Sequence, residues 1–384
     1  MKRSVPFHAL GGLFEQDDVD AAARVTQAAA EPGGNFFPLP EETDFQDALA
    51  RHENAAKAVA VNSCGTALDL CMMALGVGPG DEVITTPLTF ICTATSASVR
   101  GARIVFADVD PTTLNLDPAR VREKITDRTR AIIPVHFGGL AADVAGFESI
   151  TAETGVPVVY DAAHAVGTRA GGKGIGGAGM ASCYSFQSNK NMTTLGEGGA
   201  VTTDNEEFAE VVRQKKTFGF VYGGARLRVV TQGFNYRMTK PQLATGLTQL
   251  AKISRVNTLK REKARILHEH LDGIPGIVRP GGIDDDGHAM HLYVIRVGPE
   301  SGTTRDALQR HLREEFEVGT AVHYPAGWDW EAFEKDGVDF DDTDCDAART
   351  ACAQVLSLPV FPLSGDEEMA YVGRSIRDSI GQLA

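Results

Sequence analysis

Near the middle of the chain lies the stretch Tyr184-Ser185-Phe186-Gln187-Ser188-Asn189-Lys190, which runs on into Thr193-Thr194-Leu195-Gly196-Glu197-Gly198-Gly199. The apolar alternation over residues 181–186 predicts a β-strand that ends in small polar residues and one lysine. The glycines that follow permit a tight turn and a close approach of the backbone to a ligand. A lysine held at a strand end is well placed to form a Schiff base with a carbonyl cofactor, but a solvated loop lysine is the commoner case. The sequence on either side of Lys190 has to distinguish the two.

Length and composition are those of a globular enzyme. The 384 residues suffice for one large and one smaller domain, and 43% hydrophobic and 23% charged residues are ordinary values. The net charge of −14 disfavours nonspecific binding to nucleic acid. The six cysteines, at positions 64, 71, 92, 183, 345 and 352, form no Cys-x-x-Cys pair and no His-Cys cluster. Neither a zinc site nor a disulfide framework is therefore indicated.

The first residues, Met1-Lys2-Arg3-Ser4-Val5-Pro6, are basic but have no apolar stretch behind them, which is unlike a signal peptide. No apolar run in the sequence approaches membrane-spanning length. We therefore expect a cytoplasmic protein that has neither a membrane nor a nucleic acid among its partners.

A candidate anion site lies upstream of the lysine stretch. A short apolar strand over residues 56–61 leads into Asn62-Ser63-Cys64-Gly65-Thr66-Ala67-Leu68, and a helix pattern follows. A strand, a turn of small residues and a helix N-terminus direct backbone N–H groups and the helix dipole at an anion. Gly65 allows close approach, and Ser63 and Thr66 offer hydroxyl groups. An ordinary capped helix explains the same pattern equally well.

Apolar strands recur along the first part of the chain, with helical or loop segments between them. Strands are predicted at 82–86, 103–107, 131–135, 156–160, 181–186 and 200–202, and helices at 17–30, 41–52, 90–99, 118–124 and 147–154. This alternation predicts an α/β fold with a mainly parallel sheet that is covered on both faces. In such sheets ligands bind beyond the carboxyl ends of the strands, which is where the candidate residues fall.

Asp161 directly follows the predicted strand 156–160. A carboxylate in that apolar setting needs a cationic partner or hydrogen bonds. A protonated pyridine nitrogen is one such partner, because a carboxylate beside it keeps the ring an electron sink. His164, three residues further on, could hold the carboxylate. The alternative is that Asp161 caps a helix beginning with Ala-Ala-His-Ala-Val.

The glycine-rich segment between Asp161 and Lys190 nearly matches two nucleotide-binding motifs. Residues 167–174 resemble a P-loop, but Gly174 stands where a Ser or Thr should bind magnesium, and no helix pattern follows. Residues 172–177 spell G-x-G-x-x-G, but they neither follow a clear strand nor open a helix. A glycine-rich hairpin is the better prediction.

The C-terminal part predicts a smaller α+β domain, and we expect a division into residues 1–250 and 251–384. One helix is expected near 241–250 and a long second one at 253–271 that would link the domains. Strands are then predicted at 290–297 and 320–324, and helices at 305–316, at 347–356 and from residue 366 onward. The acidic run 339–344 is interpreted as a solvated loop that caps the helix after it.

Motifs along nearly the whole chain occur in an order that resembles one family. They are Ser63-Cys64-Gly65-Thr66-Ala67-Leu68, Gly80-Asp81-Glu82-Val83-Ile84, Leu88-Thr89-Phe90, Asp161-Ala162-Ala163-His164-Ala165, Ser185-Phe186 with Lys190, Gly196-Glu197-Gly198-Gly199, Asn235-Tyr236-Arg237-Met238 and Leu358-Pro359-Val360-Phe361-Pro362. The ordered set is similar to the DegT-type sugar aminotransferases, which are pyridoxal-phosphate enzymes of fold type I.

The resemblance implies an aspartate-aminotransferase-like fold, with a mainly parallel, seven-stranded-type sheet in the large domain. It also implies how the cofactor ring, that of pyridoxal 5'-phosphate, would be held. Lys190 would form the Schiff base and act as acid and base. Asp161 would bind the pyridine nitrogen, with His164 beside it, and Phe90 would stack on the ring face.

The resemblance further implies a phosphate site made by two subunits. Gly65, Thr66 and Ser185 would bind the phosphate from one chain. Asn235 would reach it from the neighbouring subunit, so a homodimer is the expected functional unit.

The implied activity is transfer of an amino group from glutamate or glutamine to a keto sugar, in secondary metabolism or glycan biosynthesis. The acceptor would be a nucleotide-linked keto-deoxysugar or a keto-cyclitol. One alternative is a sugar dehydratase of the same family, whose members have histidine at the position of Lys190. Another is a non-catalytic cofactor-binding regulator, against which the complete set of site residues argues. Cys64, and Ala326-Gly327-Trp328 after residues 322–325, depart from the family's usual residues, and the second departure leaves the substrate open.

Overall fold

The computed structural model describes residues 3–8, 10–223, 226–284 and 286–383. The α-helices in these ranges are α1 (Gln16–Ala30), α2 (Glu41–Glu53), α3 (Cys64–Leu75), α4 (Cys92–Ser98), α5 (Pro118–Lys124), α6 (Val144–Thr154), α7 (Glu206–Lys215), α8 (Lys240–His270), α9 (Arg305–Phe316), α10 (Glu331–Lys335), α11 (Asp346–Gln354) and α12 (Asp366–Leu383). The strands are β1 (Lys57–Val61), β2 (Glu82–Thr85), β3 (Arg103–Phe106), β4 (Thr129–Ile133), β5 (Val159–Asp161), β6 (Arg169–Ala170), β7 (Lys173–Gly174), β8 (Ala181–Ser185), β9 (Gly199–Thr203), β10 (Phe220–Gly223), β11 (Arg226–Val229), β12 (Ile277–Val278), β13 (Tyr293–Val297), β14 (Phe340–Asp341) and β15 (Val355–Leu358).

The central sheet has the order β1-β9-β8-β5-β4-β2-β3-β14. Its two halves meet at β4 and β5, which are joined by parallel bridges between Ile132 and Val158 and between Val135 and Asp161. Pairing is parallel throughout except on both sides of β9, which runs against β1 and β8. The predicted mainly parallel α/β sheet, with seven strands beside the two-residue β14, is confirmed.

Alternating side chains of the strands enter cores on opposite faces of the sheet, as the period of two requires. In β8, Cys183 packs with α3 and α7 on one face, whereas Tyr184 packs with α2 and α8 on the other. In β5, Tyr160 joins a core with α5 and α6. Every residue of β2, β8 and β9 is buried, because helices cover both faces. Burial on both faces explains the nearly continuous apolar sequence of these strands.

Helix α8 connects two cores without a break, although two helices were predicted in this region. Its first half places Leu243 and Ile253 in the core beneath the central sheet, and its second half places Ala264 and Leu267 in the C-terminal core. Residues 250–253 contain neither glycine nor proline, so nothing interrupts the helix there. The division of the chain at 250/251 stays a prediction, and that position lies inside α8.

The C-terminal part contains the antiparallel sheet β12-β13-β15, on which α9 and α12 pack. Two predictions are wrong here. The segment 320–324 forms only one bridge, from Ala321 to Ser357, and the helix predicted to reach residue 356 ends at Gln354 so that β15 can pair with β13. Pairing with a distant strand outweighs the local helical pattern, as is common for short apolar runs.

The acidic run 339–344 does not cap the following helix. Its residues Phe340 and Asp341 form β14 and extend the central sheet beside β3. The backbone N–H groups of Ala347 and Ala348 donate to the Asp108 carboxylate instead, at 3.0 and 2.7 Å. A carboxylate from the central sheet region therefore satisfies the start of α11.

The glycine-rich segment before β8 forms the predicted hairpin. Strands β6 and β7 pair antiparallel, with Arg169 opposite Gly174. Elsewhere, all six cysteines are free thiols, and the sulfurs of Cys71 and Cys183 lie 3.6 Å apart. Of the helices in the described ranges, none combines the length and the apolar character that crossing a membrane requires.

Candidate active site

The carboxyl ends of β5 and β8 and the N-terminus of α3 open into one cavity of about 460 Å³. Six of the eight residues singled out in the sequence line it: Gly65, Phe90, Asp161, His164, Ser185 and Lys190. Thr66 and Asn235 do not line it. The structure therefore brings together residues that are up to 125 positions apart in the sequence.

Lys190 lies in the loop between β8 and β9, which is held in shape by its own backbone. The Phe186 N–H donates to the carbonyl of Gly198 at 2.8 Å, and the Thr194 N–H donates to the carbonyl of Phe186 at 3.0 Å. A Cβ on Gly198 would stand 2.0 Å from the Thr194 hydroxyl oxygen, so only glycine fits there. The run of glycines after the lysine thus closes a tight loop that presents Lys190 to the cavity.

The Lys190 amine is partly buried and makes no hydrogen bond within the described ranges. Burial lowers its pKa, and the negative charges of Asp161 and Glu197 oppose that shift. A lowered pKa increases the fraction of free amine near neutral pH, and the free amine is the nucleophilic form.

Asp161 is buried, and its hydrogen bonds come from three neutral donors. The Thr93 hydroxyl donates to Oδ2 at 2.7 Å, the Ala163 N–H donates to Oδ1 at 3.0 Å, and the Cys64 thiol lies 3.8 Å from Oδ1. Burial raises the pKa of this carboxyl group, and the hydrogen bonds and Lys190 oppose the rise. No helix begins after Asp161, since residues 162–167 form turns, so the alternative of a helix N-cap is wrong.

His164 does not hold the Asp161 carboxylate. Its Nε2 lies 3.0 Å from the Tyr324 hydroxyl, because the turn after Asp161 directs the ring toward the C-terminal part of the chain. Its Nδ1 is buried and has no hydrogen-bond partner in the described structure. The ring lies against that of His291, with centroids 4.5 Å apart. Burial and the neighbouring Lys190 hold the pKa of His164 well below its usual value, so the imidazole is neutral.

The N-terminus of α3 lies at the cavity as predicted for an anion site, but the Thr66 hydroxyl does not face the cavity. Ser63 is the N-cap, and its Oγ accepts from the Thr66 N–H at 3.1 Å. The Thr66 hydroxyl donates to Asn62 Oδ1 at 2.7 Å, which turns it away from the cavity. The free amides at the helix start and Gly65 therefore face the cavity, together with the hydroxyl of Ser185.

Phe90 lies at the cavity around Lys190, whereas Asn235 lies outside it. The Phe90 ring is 57% exposed at the edge of the cavity, edge-on to the Tyr324 ring at a centroid distance of 6.1 Å. Asn235 is also exposed, but it lines a second cavity with Phe36, Phe37 and Arg237. Its Oδ1 accepts from Arg237 Nε at 2.9 Å. Within one chain, Asn235 is thus not part of the site around Lys190.

Comparison with known proteins decides the family. The model of the DegT/DnrJ/EryC1/StrS aminotransferase family matches residues 16–377. The chain is 37% identical, over 89% of its length and 90% of that protein, to the spore coat polysaccharide biosynthesis protein SpsC of Bacillus subtilis. The chain belongs to the DegT/DnrJ/EryC1/StrS aminotransferase family.

Solved structures agree with this family and with fold type I. DesV of S. venezuelae, solved in complex with a ketimine intermediate, is 31% identical with a TM-score of 0.85 over 94% of each chain. NtdA of Bacillus subtilis, solved with bound cofactor PMP, is 27% identical with a TM-score of 0.86, over 99% of this chain and 86% of NtdA. The resemblance, the fold type and the transaminase class inferred from the sequence are confirmed, and the cofactor of this DegT-family aminotransferase is pyridoxal 5'-phosphate.

The residues of this aminotransferase fit that cofactor. Asp161 is a buried carboxylate without a cation in hydrogen-bond contact, which suits a protonated pyridine nitrogen. The N-terminus of α3 suits a phosphate, and the Lys190 amine suits an aldehyde. When bound, the cofactor supplies an electron sink for the pair of electrons left on carbon when a proton is removed.

Sequence reasoning missed several residues at the candidate site. Thr93 lies one helical turn beyond the Leu88-Thr89-Phe90 motif, and its hydroxyl spacing from Thr89 could have indicated it. Tyr324 lies in the segment 322–328 that the sequence linked to the substrate, but its contact with His164, 160 residues away, had no local signal. Cys92 also lines the cavity, and burial raises the pKa of its thiol to about 12, so it stays neutral beside Asp161.

Proposed function

We propose that this aminotransferase transfers an amino group from glutamate or glutamine to a keto sugar or keto-cyclitol, in secondary metabolism or glycan biosynthesis. The observation that carries the proposal is that Lys190 and Asp161 face one cavity with the N-terminus of α3. A nucleotide-linked keto-deoxysugar is the favoured acceptor, since the name of SpsC places that relative in polysaccharide biosynthesis.

Different parts of the chain would transfer the proton, bind the pyridine nitrogen and bind the phosphate. The Lys190 Nζ would take the proton from the donor carbon that carries the amino nitrogen and deliver it to the former aldehyde carbon of the cofactor, on the other side of that nitrogen. Its lowered pKa leaves it able to do both. Asp161 would hold the pyridine nitrogen in its protonated form. The start of α3 and Ser185 would hold the phosphate, and Phe90 would cover the ring face.

The donor is identified by the visible spectrum of the holoprotein. We expect a visible absorption band that one of the two donors, glutamate or glutamine, bleaches when each is titrated separately. A band that neither donor alters would contradict the proposed donors. Absence of a band after addition of cofactor would contradict the role of Lys190 itself.

The acceptor is then identified by reversing the change. The aminated enzyme is mixed with a panel of keto sugars and keto-cyclitols, and the acceptor restores the original band. Release of a deoxygenated sugar without any amino donor would instead indicate the dehydratase alternative. The presence of Lys190 argues against that alternative, because the dehydratases have histidine at this position.

We also propose that the functional unit is a homodimer in which Asn235 completes the site of the other subunit. Asn235 lies outside the cavity of its own chain, beside an exposed apolar surface. That surface includes Phe36, Phe37, Leu39 and Phe234, and Phe37 is 70% exposed. Large exposed apolar patches mark protein contact sites, which supports a second copy here.

Complementation between inactive subunits tests the shared site. Lys190→Ala and Asn235→Ala subunits carrying different tags are co-expressed, and the mixed dimers are purified. Each mixed dimer has one site with both residues intact, so about half of the wild-type activity is expected if Asn235 acts across the interface. No recovery above the parent variants would contradict this arrangement.

We retain the cytoplasmic localisation as part of the proposal. Six cysteines as free thiols, five of them buried, suit a reducing compartment.

A further inference from the structure

Lys260 is a buried lysine close to the site that the mechanism above does not use. Its side chain, on α8, is 1% exposed. The Nζ donates to Asn191 Oδ1 at 2.9 Å and to the carbonyl of His291 at 3.1 Å. The Phe361 ring lies 5.9 Å from it. These contacts are all neutral, so the ammonium group has no counter-ion among the residues that the structure describes.

The other buried lysines in the described structure are paired with carboxylates. Lys216 Nζ lies 2.5 Å from Glu42, and Lys252 Nζ lies 2.6 Å from Asp18. Without such a partner, burial and the charge of Lys190 lower the pKa of Lys260 to about 7. A buried amine that stays unpaired is unfavourable for folding, which makes a functional reason worth seeking.

The contact with Asn191 leads directly to Lys190, which is the preceding residue. Asn191 Nδ2 donates to Asn257 Oδ1 and to the carbonyl of Ala289, both at 2.8 Å. Lys260 occupies the oxygen of the same amide, so every polar atom of the side chain is engaged. The backbone beside Lys190 is thereby fixed to α8 and to the segment before His291.

The groups around Lys260 leave Lys190 as its main charged neighbour. His164, His288, His291 and His323 all have pKa values lowered by burial, so they are neutral near pH 7. Lys190 is the charged group that lowers the pKa of Lys260. The Lys260 side chain is therefore held in place by its hydrogen bonds to Asn191 and to the carbonyl of His291.

We propose that Lys260 is a positioning residue for the reaction: through its hydrogen bond to Asn191, the neighbour of Lys190, it fixes the backbone that presents the Lys190 amine to the cavity. The proposal deepens the proposed function, because it concerns the lysine assigned there as acid and base. It adds a residue from the middle of α8 that would not touch the substrate.

The direct test measures how fast pyridoxal 5'-phosphate, added to the full-length protein without cofactor, produces the visible band of its Schiff base with Lys190. Lys260→Met removes the hydrogen bond to Asn191 at nearly constant size, and we expect the rate constant to fall by about tenfold or more, because the Lys190 amine is no longer held in position. Lys260→Arg retains a donor and should restore a rate near the wild-type value. Lys263→Met, which removes from the same helix an ion pair with Asp366, is the matched control and should leave the rate unchanged.

The holoprotein gives a second readout, the rate of the half-reaction with the amino donor. Lys260→Met should lower the rate at saturating donor by about tenfold with little change in KM, since Lys260 does not touch the substrate. If Lys260→Met does not fold, Lys260→Leu serves as the second variant without a donor. An unchanged rate of band formation in a folded variant without a donor would overturn the proposal. Absence of a half-reaction in the wild type would overturn the proposed function alone, since band formation does not depend on it.

Discussion

Two regions of this molecule bury charged side chains beside α8. They differ in whether the buried charges are paired with opposite charges. Where α1 packs on α8, the buried Asp18 accepts hydrogen bonds from Lys252, Thr248 and Gln249. The pKa of Asp18 is lowered despite its burial, and that of Lys252 is raised. In the site, Asp161 has its pKa raised by burial, and the pKa values of Lys190 and Lys260 are lowered.

The difference lies in the partners and in the depth of burial, since Asp161 and Lys260 lie deeper in the protein than Asp18 and Lys252. Asp18 is 0% and Asp161 3% exposed, yet only Asp18 contacts a cation. Pairing satisfies both charges of the first region and fastens α1 to α8. The second region keeps its carboxylate and amines apart, so they remain available to a ligand at a cost in stability.

The largest expected effect comes from exchanging one lysine in each region for methionine. Lys190→Met should lower the rate of the half-reaction by about 10²–10⁴-fold or more, because it removes the proton-transferring amine. Its stability without cofactor should stay near that of the wild type, since Lys190 has no ion pair to lose. Stopped-flow absorbance and urea unfolding measure the two quantities. A large loss of stability would mean that Lys190 is structural.

Lys252→Met should show the reverse pattern. It leaves the buried Asp18 without its cation, which should cost about 3–5 kcal/mol of unfolding free energy. The half-reaction rate of the folded fraction should be unchanged, because Lys252 lies on the α1 side of α8. The measurement is urea denaturation at neutral pH. A variant as stable as the wild type would show that the ion pair between Lys252 and Asp18 does not stabilise this region.

The smallest expected effect concerns pH and the two aspartates. The raised pKa of Asp161 means that its contribution to stability falls as pH rises from the unfolded value of about 3.9 through the folded value. The lowered pKa of Asp18 means that its contribution is present above about 3.9 and is lost as pH falls through the folded value.

Asp161→Asn should therefore stabilise the cofactor-free protein at pH 7, by about 1–2 kcal/mol, while Asp18→Asn should destabilise it. At pH values below the folded-state pKa values of both aspartates, the difference in stability between each variant and the wild type should become smaller. Thermal unfolding across pH 3–8 provides the measurement. Equal behaviour of the two variants would show that pairing does not distinguish the regions.

Much of the site could be predicted because its parts are local in sequence. The strand before Lys190, the glycines after it, and Asp161 at the end of a strand each follow from spacing within a few residues. The meeting of these parts followed from one rule, that strand ends of a parallel sheet share an edge. The Ser63 cap was equally local, although the Thr66 hydroxyl beside it turned to Asn62.

The fold class could be predicted from the sequence alone, as could the placement of Lys190, Asp161 and the start of α3 at strand and helix ends, because each depends on the period and the end signals of a single element. Three features depended instead on packing: that residues 355–358 are a strand, that Tyr324 contacts His164, and that Lys260 contacts Asn191. They rest on contacts between residues that are 59 to 160 positions apart. Such contacts exist only once the elements have packed, so no local pattern encodes which buried charge finds a partner.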